Sequence, residues 1–445
     1  MASPLRVLPI LCAAGALALP CSAQGASFVP GEVLVQYEDG TSGAERVDAQ
    51  EATGTKGTEV LPGGGRKLEI RDGEGVRETV EELEAQNGVE SAHPNYRARA
   101  SAFLPNDPGF GAPGDWRRTQ WNFAGPFGVR APEAWAHMRA LGKPGGKGVR
   151  IAVIDTGIAY RNKGRFKRAP DLARARFVQG HDWVDDDGFA LDEEGHGTHI
   201  TGTIAEQVNN RRALTGLAYG ASIMPLRVLD SAGYGDAGSI ARAIRYAARR
   251  GAKVINMSFE FDAGLTEEDV PNVASALEFA HKAGVVVVAA AGNDGPVVAY
   301  PARADHAISA GSTTEDGCQA EYSNGGNRLD LVAPGGGTAA PNLDNPWDLT
   351  HCKPIGGSDR EIYQETFSRG FRRFGLRPVH GTSMSSPHIA AAAALVIASG
   401  VLGPNPRPDA VEARLEATAR DVGPAGRDTR YGHGLLDVAA AVGAG

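Results

Sequence analysis

Val149-Arg150-Ile151-Ala152-Val153-Ile154-Asp155-Thr156-Gly157 is apolar at odd and even positions alike from Ile151 to Ile154, then breaks into an aspartate, a threonine and a glycine. A strand apolar on both faces has no solvent side, so it reads as an interior strand of a parallel sheet covered by helices above and below. Runs of the same kind recur at residues 222–229, 252–257 and 285–290. Between them lie stretches with helical spacing at residues 196–208, 239–250 and 267–283; in the second, Ile240, Ala243, Ile244 and Ala247 share one face before Gly251. This alternation predicts an α/β fold, a three-layer parallel sheet with helices on both faces. Three more helices are expected to begin near Thr382, Asp409 and Leu435.

At 445 residues the chain has length for more than one domain. A net charge of −8 lacks the basic balance of a nucleic-acid binder and fits an extracellular enzyme better. The first residues carry Arg6, an apolar run at 7–19 and then Cys21-Ser22-Ala23, the pattern of a cleaved export signal. Pro20 stands where a lipid-anchored signal wants a small residue, and no later run is long enough to span a bilayer. The expectation is a secreted protein without a membrane anchor. Removal of residues 1–23 takes Cys12 and Cys21 away and leaves Cys318 and Cys352. In an oxidising compartment that pair has one intramolecular connectivity, a disulfide; two free buried thiols are the plainer alternative.

Residues 31–37 read as a strand, Val76, Val80 and Leu83 as one helix face closed by Asn87-Gly88, and the following residues as a strand again. Residues 97–105 form a basic, small-residue linker suited to cleavage, expected near Ala102-Phe103.

Three segments carry candidate chemistry. Asp155 ends the first strand, where ligands of open α/β sheets collect. His196 lies in Gly195-His196-Gly197-Thr198-His199, and Ser383 in Gly381-Thr382-Ser383-Met384-Ser385-Ser386-Pro387-His388 at the start of an Ala-rich helix. Each has a plainer reading: a turn carboxylate, half of a metal pair with His199, a helix N-cap. The His pair lacks the Glu and spacing of a zincin helix. Asp155-Thr156-Gly157-Ile158-Ala159 is not a dinucleotide fingerprint, and Ser385 replaces the second Gly of a lipase elbow. A nucleophile, a base and an orienting carboxylate in the order Asp, His, Ser remain.

These three segments in that order resemble the subtilisin-like serine proteases, nearest the thermitase-like secreted branch. The resemblance runs from about Asn106 to Leu436. It implies that Ser383 is the nucleophile, His196 the general base, Asp155 its orienter, and Asn293, in Gly292-Asn293-Asp294-Gly295-Pro296, the oxyanion donor. It also implies that Gly233-Tyr234-Gly235 and Ser258-Phe259-Glu260 flank an extended substrate, with Asp294 near the base of the primary specificity pocket. The family usually has Gly where Glu260 stands, and two carboxylates there lean slightly toward basic substrate residues. Phe28-Val29-Pro30-Gly31-Glu32-Val33-Leu34-Val35 and Gly88-Val89-Glu90-Ser91-Ala92-His93-Pro94-Asn95-Tyr96 resemble the ends of subtilisin propeptides, small α+β ferredoxin-like folding assistants and inhibitors.

The implied organisation is a signal peptide at 1–23, a propeptide at 24–102 and a peptidase domain at 103–445. The implied partners are protein or peptide substrates and the chain's own propeptide as intramolecular inhibitor, with no nucleic acid and a monomeric state. By the same resemblance Asp107, Asp171, Asn210 and the Gln207 carbonyl would bind structural calcium, although Arg211 and Arg212 are unusual beside such a loop. Asp185-Asp186-Asp187-Gly188 with Asp192 and Glu193 reads as a second calcium loop or as solvated acid, and residues 161–168 as a basic insertion able to pair with it. Residues 335–378 are a long stretch of unassigned role. A catalytically silent peptide-binding member and an esterase are the competing functions.

Overall fold

The computed structural model describes residues 28–61, 63–96, 103–340, 348, 350, 352, 360–367 and 370–444. The expected export signal and the bond after Ala102 lie outside the described residues. The chain divides into two compact units, with the boundary between residues 100 and 101.

In the first unit β1 (Phe28–Tyr37), β2 (Thr55–Val60), β3 (Arg66–Ile70) and β4 (Val89–Tyr96) form an antiparallel sheet in the order β2-β3-β1-β4. Helices Gly43–Ala52 and Val76–Glu84 complete the βαββαβ order of a ferredoxin-like unit. Alternate residues of β1 (Val33, Val35 and Tyr37) point to one face and are buried with Ala49, Val76 and Leu83; that period of two leaves the other face polar. A capping box starts the first helix: Ser42 Oγ accepts from the Glu45 N–H and Glu45 Oε2 from the Ser42 N–H.

The second unit is built on β5 (Arg150–Asp155), β6 (Arg176–Phe177), β7 (His181–Asp182), β8 (Ser222–Arg227), β9 (Val254–Met257), β10 (Val286–Ala290), β11 (Ile308–Thr313) and β12 (Leu331–Pro334). Their order is β12-β11-β10-β9-β5-β8-β6, with β7 also on β8 and every pair parallel. Period-two alternation feeds two cores. Ile151 and Val153 pack with helices Ala131–Ala140, His196–Ala205, Thr382–Ser399 and Pro408–Ala417, whereas Ala152 and Ile154 pack with Ala237–Arg249 and Pro271–Lys282. The result is the three-layer α/β arrangement that doubly apolar strands require.

Two elements were not anticipated and one begins elsewhere than expected. Strand β11 carries too much serine to read as a buried strand, yet all six residues are buried. Its serines are satisfied internally: Ser309 Oγ donates to the Arg328 carbonyl at 2.7 Å, and Ser312 Oγ shares a 2.8 Å hydrogen bond with Ser385 Oγ. The last helix is Val438–Ala441 rather than one beginning near Leu435, because Leu435 is bridged to Val332 and Arg420 as extended chain. Residues 335–378, where described, contain an antiparallel hairpin, β13 (Ile362–Phe367) with β14 (Phe374–Val379).

Candidate active site

Strand order brings the carboxyl ends of β9, β5 and β8 side by side, with β10 next to β9. Asp155 is the last residue of β5, while Ser258-Phe259-Glu260 follows β9 and Gly233-Tyr234-Gly235 lies beyond β8. Asn293 follows β10. One edge of the sheet therefore collects residues scattered through the sequence.

Asp155 is fully buried, and its Oδ1 accepts from the Thr156 N–H at 2.7 Å and from His196 Nδ1 at 2.8 Å. A proton on Nδ1 leaves Nε2 free to accept one. The His196 helix begins at Gly195, whose φ of +116° suits glycine alone. Asp192, expected as part of an acidic loop, instead caps this helix. Its Oδ1 accepts from the Glu194 and Gly195 N–H groups and from Thr156 Oγ1, and its Oδ2 from Thr198 N–H and Oγ1. Burial raises the Asp192 pKa to about 6, against the hydrogen bonds from Thr198, Glu194 and Gly195. The β13–β14 hairpin braces the same helix: Thr366 Oγ1 donates to the Gly195 carbonyl at 2.6 Å, and His199 Nε2 meets the Ile362 and Arg377 carbonyls. His199 Nε2 is thus committed to the hairpin.

Burial of the His196 ring favours its neutral form. The charge and hydrogen bond of Asp155, with Glu194 and Asp192 behind, outweigh that and raise its pKa from 6.5 to about 9. Water reaches the ring, which is 24% exposed, and screens part of this attraction. We predict a rising acid limb in kcat/KM with its midpoint above 6.5 and no higher than about 9, about tenfold per pH unit below the midpoint. A profile flat from pH 6 to 9 contradicts the pairing. Because the folded pKa is raised, the pair's contribution to stability is complete below about pH 6.5 and is lost as pH rises through the folded value.

Ser383 sits at the second position of the Thr382–Ser399 helix, which packs on the His196 helix. Its Oγ donates to the Ser258 carbonyl at 2.9 Å, and no hydrogen bond joins it to His196 among the described residues. Its N–H, one of the unpaired donors of a helix start, points to no acceptor among the described residues. Asn293 Oδ1 accepts from Thr382 N–H at 2.9 Å and from Thr382 Oγ1 at 3.0 Å, which fixes the amide with Nδ2 turned away. Ser258 Oγ also holds this helix through the Ser383 carbonyl, at 2.9 Å.

Gly233-Tyr234-Gly235 closes a turn on Asp230 that leaves Tyr234 77% exposed. Phe259 is half-buried in the second core, and Glu260 reaches Asn293. Asp294, expected near a pocket base, is exposed.

The residues expected to hold calcium form one hydrogen-bonded group. Asp107 accepts from the Asn209 and Asn210 N–H groups, Asp171 Oδ1 from Asn210 Nδ2 at 2.5 Å, and the Gln207 N–H donates to the Asp171 carbonyl at 3.1 Å. Sequence reasoning missed two neighbours. Glu365 Oε2 accepts from the Asp171 N–H and Glu206 Oε1 from the Glu365 N–H, both at 2.7 Å. Asp107, Asp171 and Glu206 are fully buried and Glu365 nearly so. Burial, with Glu365 and Asp107 adding repulsion against hydrogen bonds from Asn210 and Leu214, pushes Asp171 up to about 8; burial, with repulsion from Asp171 and then Glu365 and Asp107, raises Glu206 well above the usual range.

The expected second calcium loop is occupied otherwise. Arg227, only 2% exposed, ion-pairs with Asp182, Asp185 and Glu193. From the basic insertion Lys163 reaches Asp187 at 3.0 Å and Arg165 reaches Glu193. Cys318 and Cys352 face each other with Cα atoms 5.3 Å apart, within the span of a disulfide. Among the described residues no helix is long and apolar enough to cross a membrane.

Residues 146–434 match the subtilase family, and residues 20–95 match the fervidolysin N-terminal prodomain. A thermophilic serine proteinase from Bacillus sp. (strain AK1) is 32% identical over 378 residues, 84% of this chain and 79% of that protein. Thermitase from Thermoactinomyces vulgaris is 32% identical over 341 residues, 76% of this chain and 99% of its own. The solved structure of a protease from Pseudoalteromonas arctica PAMC 21717 is 29% identical with a TM-score of 0.60, over 77% of this chain and 99% of that one.

Proposed function

The chain belongs to the subtilase family of serine proteases and carries an N-terminal prodomain, and from that premise we propose that it is a secreted, self-processed endopeptidase acting through Ser383, His196, Asp155 and Asn293. The observation that carries the proposal is the 2.8 Å pair between His196 Nδ1 and Asp155, together with an Asn293 amide held by Thr382 of the helix that bears Ser383. In this reading Ser383 Oγ exchanges its hydrogen bond to the Ser258 carbonyl for one to the His196 ring. Ser383 Oγ then attacks the scissile carbonyl as His196 Nε2 takes its proton, and Asp155 stabilises the imidazolium. The Asn293 amide and the Ser383 N–H meet the oxyanion. His196 returns the proton to the leaving amine, and water releases the acyl group by the same route. Gly233-Tyr234-Gly235 and Ser258-Phe259-Glu260, on either side of the β5 end, would take the substrate main chain between them.

Residues 1–23 would act as the export signal, 24–102 as the propeptide that assists folding and inhibits in cis, and 103–445 as the peptidase, working as a monomer. Mass spectrometry of the secreted product tests this, with expected starts at or near Phe103. A product that retains residues 24–96 while cleaving casein would refute control by the propeptide. Relative rates on matched peptide and ester substrates separate an endopeptidase from an esterase.

Calcium fits the Asp107 group. Four buried carboxylates with no ion pair among the described residues, and only the charge of Arg212 acting on Glu365, call for protons or a cation, and hard oxygen donors suit calcium. Asp107, Asp171, Asn210 and the Gln207 carbonyl would hold the ion, which would supply cross-linking of three loops rather than chemistry. Adding a chelator should lower the thermal midpoint, and calcium in excess should restore it; an unchanged midpoint would remove the site. Pairing of Cys318 with Cys352 would close a loop of 34 residues, worth roughly 3–4 kcal/mol in the chain-entropy account. Recovery of two thiols from native enzyme would rule the bridge out.

A further inference from the structure

Glu260 touches the very group proposed to receive the oxyanion. Its Oε1 accepts from the Asn293 N–H at 3.0 Å and lies 3.4 Å from Asn293 Nδ2, while Oε2 is 3.3 Å from the same N–H. The carboxylate is packed against Gly292 (φ +106°): a Cβ there would stand 2.2 Å from Glu260 Oε2 and 2.3 Å from Asn324 Nδ2. Glycine at 292 is thus what makes room for the carboxylate beside the amide. Burial raises the Glu260 pKa, Asn293 hydrogen bonds oppose this and Asp294 adds repulsion, and among the described residues no cation stands close enough to offset the charge. A half-buried carboxylate with a second acid beside it and no counter-cation is a site prepared for an incoming positive charge.

We infer that Glu260 latches the Asn293 amide and that a Lys or Arg side chain on the acyl side of the scissile bond draws the carboxylate away, so that substrate charge assembles the oxyanion site. This rests on the proposed peptidase reading. An ammonium or guanidinium entering the pocket offers Glu260 a stronger, charge-assisted partner than an amide held at 3.4 Å. Asn293 Nδ2 is then free to serve the transition state. A neutral apolar side chain offers no such exchange and must also strip water from the carboxylate. Charge selection therefore acts on kcat and not on KM alone, because the donor it releases works only in the transition state. Glu260 is a specificity and positioning residue; it does not touch the reacting atoms.

The test uses processed enzyme and two peptide p-nitroanilides that differ only in lysine or norleucine before the scissile bond, chains of similar length with and without the ammonium. Wild-type enzyme should favour lysine in kcat by between about 10-fold and 1,000-fold, the upper figure being the worth of one oxyanion donor. In Glu260→Gly the preference should vanish through a rise in kcat on the norleucine substrate. Glu260→Gln should lose the lysine preference while remaining slow on both. Stoichiometric labelling of Ser383 by a sulfonyl fluoride shows each variant folded. Equal wild-type rates on the two substrates, or a ratio unchanged in Glu260→Gly, would overturn the latch and leave the peptidase reading intact. Failure of wild-type enzyme to cleave either substrate or casein would instead overturn the peptidase reading.

Discussion

Ser383→Ala lowers peptide hydrolysis by about 10⁶-fold and leaves the precursor uncut at the linker. That magnitude is the loss seen when the nucleophile is removed from a subtilisin, a relative of this chain. Alanine keeps the helix start, since Ser383 Oγ contributes one hydrogen bond there, to the Ser258 carbonyl. Asn293 remains aimed by Thr382. The variant is therefore expected to fold with the proposed oxyanion donors in place and to lack only the proposed nucleophile. Residual activity of about 10³–10⁴ over water reflects those donors and substrate binding. Normal processing in this variant would show that another residue, or another protease, cuts the linker.

Asp155→Asn is expected to lower kcat by about 10⁴-fold with little change in KM, the effect of the same substitution at the orienting aspartate of a Ser-His-Asp enzyme. The carboxylate is fully buried, and its Oδ1 is what keeps the His196 proton on Nδ1. An asparagine that turns its NH₂ toward the ring forces the opposite tautomer and leaves Nε2 protonated, unable to accept from serine. The acid limb should move down at the same time, since the charge that raises the His196 pKa is gone. An Asp155→Asn enzyme within tenfold of wild type would show that some other group orients the ring.

The proposed catalytic residues were legible because each stands where local physics is conspicuous. Asp155 ends a strand apolar on both faces, Gly195 permits the abrupt start of the His196 helix, and Ser383 opens an Ala-rich helix. The interior strands β5, β8, β9 and β10 were legible for the same reason, having no polar side to disguise them. Strand β11 was not, because its serines look like solvent-facing residues until Arg328 and Ser385 are known to receive them. Glu206 and Glu365 are 159 positions apart and meet only through the β13–β14 hairpin, so no local pattern marks their shared burial with Asp171. Asp192 read as loop charge because capping depends on where the helix begins in space. The departure at Glu260 was visible in the sequence, but its contact with Asn293 belongs to side-chain geometry alone.

The convergence of Ser383 and His196 is the central claim, and the rate of inactivation by phenylmethylsulfonyl fluoride against pH measures it most directly. A single adduct on the peptide containing Ser383 is expected, with a rate that climbs as His196 loses its proton and that collapses in His196→Ala. An adduct on another residue, or an equal rate with and without the imidazole, would show that the two side chains do not act together.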